Sequence, residues 1–207
     1  MSSPLSFRTL SVAGLALSLL TVASARAQES EQQKEMVDNP HYQYWHAHKP
    51  GSTVVRRETT KVNTPDSPPA ASTGPEERRI AYKLLEADDK RVVVEMVVTE
   101  KEALGYVQDA PTRYIYPAKV AKEELERHMK MAGATTGEDV VKVQGKELKC
   151  KTQAGTIKEP DGTEMDYKVW LSDEVPGDVV KKVQTTHQNG AVVAETTVTT
   201  VSYKDAE

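Results

Sequence analysis

The segment "DVVKKVQTTHQNGAVVAETTVTTVSYK" (residues 178–204) constrains the fold of this chain most strongly. It places Asn189-Gly190, a sequence typical of two-residue β-hairpin turns, between two runs rich in Val and Thr. β-Branched residues favour strands because they pack well on a pleated surface. The segment therefore predicts a long antiparallel hairpin.

The same kind of pattern recurs through most of the chain. Runs of apolar and β-branched residues alternate with turn signals such as Asp88-Asp89-Lys90, Gly145 and Asp161-Gly162. "RVVVEMVVTEK" (91–101) is apolar on both faces and predicts a central strand, whereas Pro117 ends the strand "TRYIYPAKV" or confines it to a sheet edge. We therefore predict a mainly β fold: a curved, half-barrel-like antiparallel meander of eight or nine strands.

Two short helices are predicted to cover part of this sheet. Asn39 is a good N-cap and Pro40 suits the first helical position, so a helix is expected over residues 40–47, with Trp45 packed on the sheet. In "AKEELERHMKM" (121–131), Ala121, Leu125 and Met129 share one face at helical spacing.

Residues 1–27 have the features of a secretory signal peptide. Arg8 precedes an uncharged apolar stretch, and Ala25-Arg26-Ala27 predicts cleavage after Ala27. The expected organisation is a flexible lead-in at 28–38 and a single antiparallel β domain at 39–207, with a Pro-rich loop at 63–77. We expect a periplasmic or secreted protein without a stable membrane span after the signal is removed.

Charge and cysteine content exclude two classes of protein. The chain has a formal net charge of −4, and removal of residues 1–27 would make it about −6, so nucleic acid is not an expected partner. Cys150 is the only cysteine, so no disulfide can form within the chain. Leu148, Cys150 and Thr152 share one strand face, which predicts a buried thiol.

No motif in the sequence predicts catalysis. His41, His46 and His48 match no known zinc spacing and are interpreted as solvated or stacked on aromatic rings, with a weak surface metal site as the alternative. The acids of "SDEVPGD" are interpreted as turn residues and not as an acid/base pair. Phosphate-binding loops are absent from the sequence, so we predict no enzyme, no cofactor and no metal.

The segment "VWLSDEVPGDVVKKV" (Val169–Val183) is interpreted as a strand, a corner and a second strand. Pro176 lacks an N–H and Gly177 tolerates positive φ, so the strand ladder cannot continue through them. Trp170 is predicted to anchor the core or the rim of a binding surface.

Together, "NPHYQYWHAHKPGS", "GKELKC" and "VWLSDEVPGDVVK" resemble a family of exported bacterial proteins of unknown function. More distantly, the meander and the corner residues Trp170, Pro176 and Lys181 resemble the periplasmic lipoprotein-carrier half-barrels. That resemblance implies a curved sheet around an apolar cavity closed by helices.

These features predict a non-catalytic binding module for an apolar or amphipathic ligand. The candidate lining residues are Val94, Met96, Leu148, Trp170 and Val180, and the candidate rim residues are Pro176 and Lys181. The alternative is a structural or interaction protein of the bacterial cell envelope that docks a partner through a sheet edge or its Thr-rich face.

Overall fold

The computed structural model describes residues 34–63, 76–102, 105–129, 132–159 and 161–207. The predicted signal peptide and most of the predicted Pro-rich loop lie outside the described residues. Within the described residues there are two helices, α1 (Pro40–His46) and α2 (Lys122–Met129). The strands, in chain order, are β1 (Met36–Asp38), β2 (Thr53–Val62), β3 (Glu76–Ala87), β4 (Arg91–Glu102), β5 (Gly105–Gln108), β6 (Thr112–Pro117), β7 (Lys119–Ala121), β8 (Ala132–Val143), β9 (Lys146–Lys158), β10 (Glu164–Leu171), β11 (Val179–Gln188) and β12 (Ala191–Lys204).

Ten of the described strands form one antiparallel sheet. Its order is β5-β4-β3-β2-β12-β11-β10-β9-β8, and β6 pairs with β4 on the same side as β5. The sheet is curved and does not close, which confirms the predicted mainly β class with two short helices. It has ten strands where eight or nine were predicted, because the stretch after β4 forms two separate strands, β5 and β6.

The strand order departs from a simple meander at its centre, where β2 pairs with β12. From β2 the chain runs outward to the β5 and β6 edge, passes through β7 and α2 to β8 at the opposite edge, and then returns strand by strand. The last residues of the predicted lead-in form β1, which pairs with β7 in a separate two-stranded sheet.

Helix α1 forms where its capping residues predict it. The Asn39 side chain accepts a hydrogen bond from the His41 N–H at 3.0 Å, and Pro40 occupies the first turn. Asn39 also fixes the helix to β6, because its Nδ2 donates to the Pro117 carbonyl at 2.8 Å. Trp45 is buried on the sheet, as predicted.

The core lies at the end of the sheet that α1 covers. Buried apolar side chains from both halves of the sheet meet there with Trp45 of α1 and Val175 of the corner between β10 and β11. The cluster consists of Trp45, Val54, Leu84, Val92, Val94, Val143, Leu148, Cys150, Trp170, Val175 and Val180.

The predicted C-terminal hairpin is present between β11 and β12. Its turn residues Asn189 and Gly190 have φ of 52° and 78°, the left-handed values that this type of turn requires. Among the described residues, no helix is both long enough and apolar enough to cross a membrane.

Candidate functional site

Four of the five candidate lining residues lie together in the core. Val94, Leu148, Trp170 and Val180 all belong to the buried cluster, where they contact other side chains. Met96 is half-buried on β4, opposite Tyr82 and outside that cluster. None of the cavities found among the described residues is lined by these five side chains. Their role in ligand binding stays a prediction.

Trp170 links β10 to β8 through its N–H and to β11 through its ring. The indole Nε1 donates to Asp139 Oδ2 at 2.8 Å, and this hydrogen bond lowers the pKa of Asp139, with a further contribution from the Val140 N–H. The ammonium groups of Lys168 and Lys181 lie 4.6 and 4.9 Å from the ring centroid, within cation–π range. Trp170 is thus an anchor of the core, and Lys181 contacts it from the neighbouring strand.

The corner after β10 is fixed to α1 by close contact. Pro176, predicted at the rim, is fully buried. A Cβ on Gly177 would lie 2.8 Å from Trp45 Cζ2, so only glycine fits beneath the indole ring. The Gly177 N–H donates to the Tyr44 carbonyl at 3.1 Å, and Arg56 Nη2 donates to the Gly177 carbonyl at 3.1 Å. Pro176 is therefore covered because Trp45 packs on this corner.

The three carboxylates of the corner differ in their partners and burial. Glu174 forms an ion pair with Lys146, and Asp173 is exposed. Asp178 is half-buried, and burial raises its pKa to about 6, although His48 and Arg56 oppose that rise. The charge of Asp173 also contributes to the raised pKa of Asp178, so these two acids interact, and their interpretation as turn residues stays a prediction.

The three N-terminal histidines point to different partners. His41 stacks on Tyr116 at 5.3 Å, and His46 stacks on Tyr42 at 4.7 Å between ring centroids. His48 is buried, with Nδ1 2.6 Å from Asp205 Oδ1. In the part of the chain that the structure describes, no three His, Cys, Asp or Glu side chains converge on a point that could hold a metal ion.

Cys150 is buried, as its alternation with Lys149 and Lys151 predicts. Its Sγ donates to the Leu148 carbonyl at 3.6 Å, and burial raises the pKa of the thiol. A thiol in this state is a weak nucleophile, because the thiolate is the reactive form.

The Thr-rich strand β12 contributes polar links within the sheet. The Thr200 hydroxyl donates to the Val179 carbonyl at 2.7 Å, and the Thr196 and Thr60 hydroxyl oxygens lie 3.2 Å apart across β12 and β2. These contacts give both threonines a role in strand pairing.

The most apolar recess among the described residues lies beside β6, and we call it the edge groove. It has a volume of about 460 Å³, within the range of small-molecule sites. Ten residues of α1 and its cap, β6, β7 and α2 line it, and seven of them are apolar or aromatic. They are Asn39, Pro40, His41, Tyr44, Ile115, Tyr116, Pro117, Val120, Glu124 and Leu125.

The edge groove combines exposed apolar surface with uncharged aromatic rings. Ile115 is 58% exposed, a high value for a large aliphatic side chain. Burial raises the pKa of the Tyr44 and Tyr116 phenols, so both rings stay neutral at physiological pH. Glu124 is exposed and places one negative charge at the groove.

A larger recess, of about 750 Å³, lies over β2, β3 and β4. Its lining is mostly charged and suits no apolar ligand: Glu58, Thr60, Glu76, Glu77, Arg78, Glu100 and Lys101. The edge groove is therefore the better candidate site, despite its smaller volume.

Sequence patterns could not reveal the edge groove as a site. Its walls come from α1 and from the consecutive elements β6, β7 and α2, which begin 66 residues after α1 ends, and no periodic pattern links Tyr44 to Ile115 and Leu125. Two signals were nevertheless present in the sequence: the Asn39-Pro40 helix start and the edge position that Pro117 predicts.

No protein-family model matches this chain, and no curated protein matches it. Among solved structures, it resembles a domain from Vibrio parahaemolyticus that is described as an outer membrane lipoprotein-sorting protein. The two share 12% sequence identity over 75% of this chain and 85% of that chain, with a TM-score of 0.25. At this TM-score the likeness supports neither a family assignment nor a function.

Proposed function

We propose that this protein is an exported, non-catalytic binding module that holds an apolar or amphipathic ligand in the edge groove. The single observation that supports this most strongly is an open recess of about 460 Å³ with a mainly apolar and aromatic lining. Export is supported by the sequence of residues 1–27, which lie outside the described residues.

The position of the groove suits reversible binding. Ile115 and Leu125 both line the groove, and neither belongs to the buried core that includes Val94 and Leu148. A ligand can therefore cover the exposed Ile115 without disturbing that core. Removal of apolar area from water provides the driving force, at about 25 cal/mol per Å².

The proposal is tested with 11-(dansylamino)undecanoic acid, a fatty acid whose fluorescence rises in an apolar site. Ile115→Asp should weaken binding at least about tenfold, because the ligand would then bury a carboxylate. Val62→Asp is the matched control, since Val62 is 56% exposed on β2 and does not line the groove. Equal binding by both variants would remove the edge groove as the site.

An envelope interaction protein is the second candidate, and the exposure of large side chains along β5 and β6 favours it. Tyr106, Val107, Tyr114 and Ile115 are each between 38% and 58% exposed along this edge. An exposed apolar edge of this kind is a common site of partner binding. Co-purification of a partner that Tyr106→Lys abolishes would support this function.

A further inference from the structure

We infer that the natural occupant of the edge groove is an extended polypeptide segment that adds as a strand to β6. This inference rests on the proposed function, because it names the class of ligand that the same groove takes. The ligand would carry apolar side chains at alternate positions and would pair its backbone with that of β6.

The first argument is the direction of the β6 backbone. The Val98 carbonyl of β4 accepts a hydrogen bond from the Asp109 N–H at 2.9 Å, so the even-numbered residues of β4 face the side on which β5 and β6 lie. The N–H and C=O groups of one strand residue point to the same side, and neighbouring residues alternate. Even-numbered residues of β4 pair with even-numbered residues of β6, so Arg113 and Ile115 direct their backbone groups away from β4. Of these two residues, Ile115 lines the groove.

The second argument is the pairing of β6. Among the described strands, β6 pairs with β4 alone, which leaves the outward groups of Arg113 and Ile115 without a strand partner. At the next outward position, the Pro117 carbonyl accepts a hydrogen bond from Asn39 Nδ2 at 2.8 Å. The edge thus already binds one amide donor, supplied by this chain itself.

These two observations distinguish a peptide from an acyl chain. A hydrocarbon tail lying along Ile115 would cover a backbone donor and acceptor without offering them a partner, which is unfavourable. A peptide strand satisfies both groups while its side chains contact apolar lining residues such as Ile115 and Leu125. The open edge therefore favours a polypeptide over a lipid.

A second copy of this chain fits the same edge less well. The segment between β5 and β6 contains Asp109, Ala110 and Pro111, and the strand register shifts by one residue across it. Irregularities and prolines of this kind hinder edge-to-edge pairing of long strands. A short peptide needs only the part of β6 before Pro117, where Arg113 and Ile115 face outward.

The experiment uses an acetylated, amidated decapeptide of alternating Val and Thr with Lys at both ends. Its addition should slow amide hydrogen exchange at Arg113 and Ile115 at least about tenfold. The amides of Thr112 and Tyr114 face β4 and serve as internal controls, because their exchange should not change. The same peptide with N-methyl groups along one edge should give no protection.

A backbone variant tests the hydrogen bonds separately from side chains. Arg113→Pro removes an outward N–H at a position where an edge strand tolerates proline, and Arg113→Ala keeps that N–H. Peptide affinity should fall about tenfold in Arg113→Pro and stay unchanged in Arg113→Ala. Thermal unfolding of both variants shows whether each is folded.

The outcomes separate this inference from the proposed function. Binding of the dansyl fatty acid in the groove, without peptide binding or amide protection, would overturn the peptide assignment and leave the proposed function standing. If protection of the Ile115 amide from exchange rises with protein concentration in the absence of peptide, the edge binds a second copy of this chain. That result would also overturn the peptide assignment. Failure of both probes to bind would overturn both proposals.

Discussion

The corner between β10 and β11 differs from the edge strand β6 in how its backbone groups are hydrogen-bonded. At the corner, the Gly177 carbonyl is bound by the buried Arg56 and its N–H by Tyr44. At the edge, Asn39 caps the Pro117 carbonyl, and among the described strands β6 pairs with β4 alone. The comparison teaches that packing and hydrogen bonds fix the corner, whereas large side chains along the edge, such as Ile115, are exposed.

The largest effect should come from removing the indole ring that joins α1 to the corner. Trp45→Ala should lower the free energy of unfolding by about 3–5 kcal/mol, because it leaves a large cavity beside Gly177. Urea denaturation measures this loss. Tyr106→Ala is the control at the open edge, where the side chain is 58% exposed. Similar losses of unfolding free energy in the two variants would contradict the conclusion that the corner is fixed more firmly than the edge.

A pair of glycine substitutions isolates the contact beneath Trp45. Gly177 and Gly190 have φ of 73° and 78°, so Ala at either position costs about 1 kcal/mol in backbone strain. Only Gly177 lies against another ring, whereas a Cβ on Gly190 meets nothing within 4 Å. Gly177→Ala should therefore cost a further 1–3 kcal/mol or so. Equal urea unfolding midpoints for Gly177→Ala and Gly190→Ala would show that the Trp45 ring can shift away from residue 177 without cost.

Asp178 should make the corner less stable as pH rises. Its folded pKa of about 6 exceeds the ordinary value of 3.8, so the folded state holds the proton more tightly. The favourable contribution of Asp178 to the free energy of unfolding is fully present below pH 3.8 and is lost as pH rises through 6. After allowance for its partial exposure, this free energy should fall by about 1 kcal/mol.

Asp178→Asn should remove this pH dependence, which urea denaturation at pH 4 and pH 7 measures. Asp88 provides a comparison of opposite sign, because the N–H groups of Lys90 and Arg91 lower its pKa. Asp88→Asn should remove stability that is present above pH 3.8 and lost at lower pH. A pH dependence of stability that Asp178→Asn leaves intact would assign that dependence to another group.

The smallest effect should come from an isosteric change at the open edge. Val107→Thr should change the free energy of unfolding by less than about 0.5 kcal/mol, because Val107 is 46% exposed. The same substitution at the fully buried Val180 places a hydroxyl in the core and should cost about 1–3 kcal/mol. Chemical denaturation of the two variants compares edge and core directly.

Local features of the sequence predicted the elements well. Asn39 and Pro40 locate the start of α1, Asn189-Gly190 locates a hairpin turn, and the alternation around Cys150 predicts a buried thiol. Each of these features acts over a few residues, so its physical cause is contained in the local sequence.

Long-range features could not be predicted in this way. Arg56 lies in a strand of ordinary alternation, but its carbonyl partner at Gly177 is 121 residues away. Likewise, the edge groove depends on how α1, β6 and α2 meet, which no single pattern contains. Pro117 was predicted to end its strand or to confine it to an edge, and it is the last residue of β6, which pairs with β4 alone among the described strands.

The pairing of β2 with β12 has a consequence for the order in which this chain can fold. Thr60 and Thr196 face each other across that pair, although 136 residues separate them. The ribosome synthesises β2 early and β12 late. The backbone groups on one edge of β2 therefore have no β12 partner until nearly all of the polypeptide has emerged. Synthesis interrupted before residue 191 would therefore release a chain in which β2 lacks its partner β12, and this unpaired strand would be exposed to proteases and chaperones.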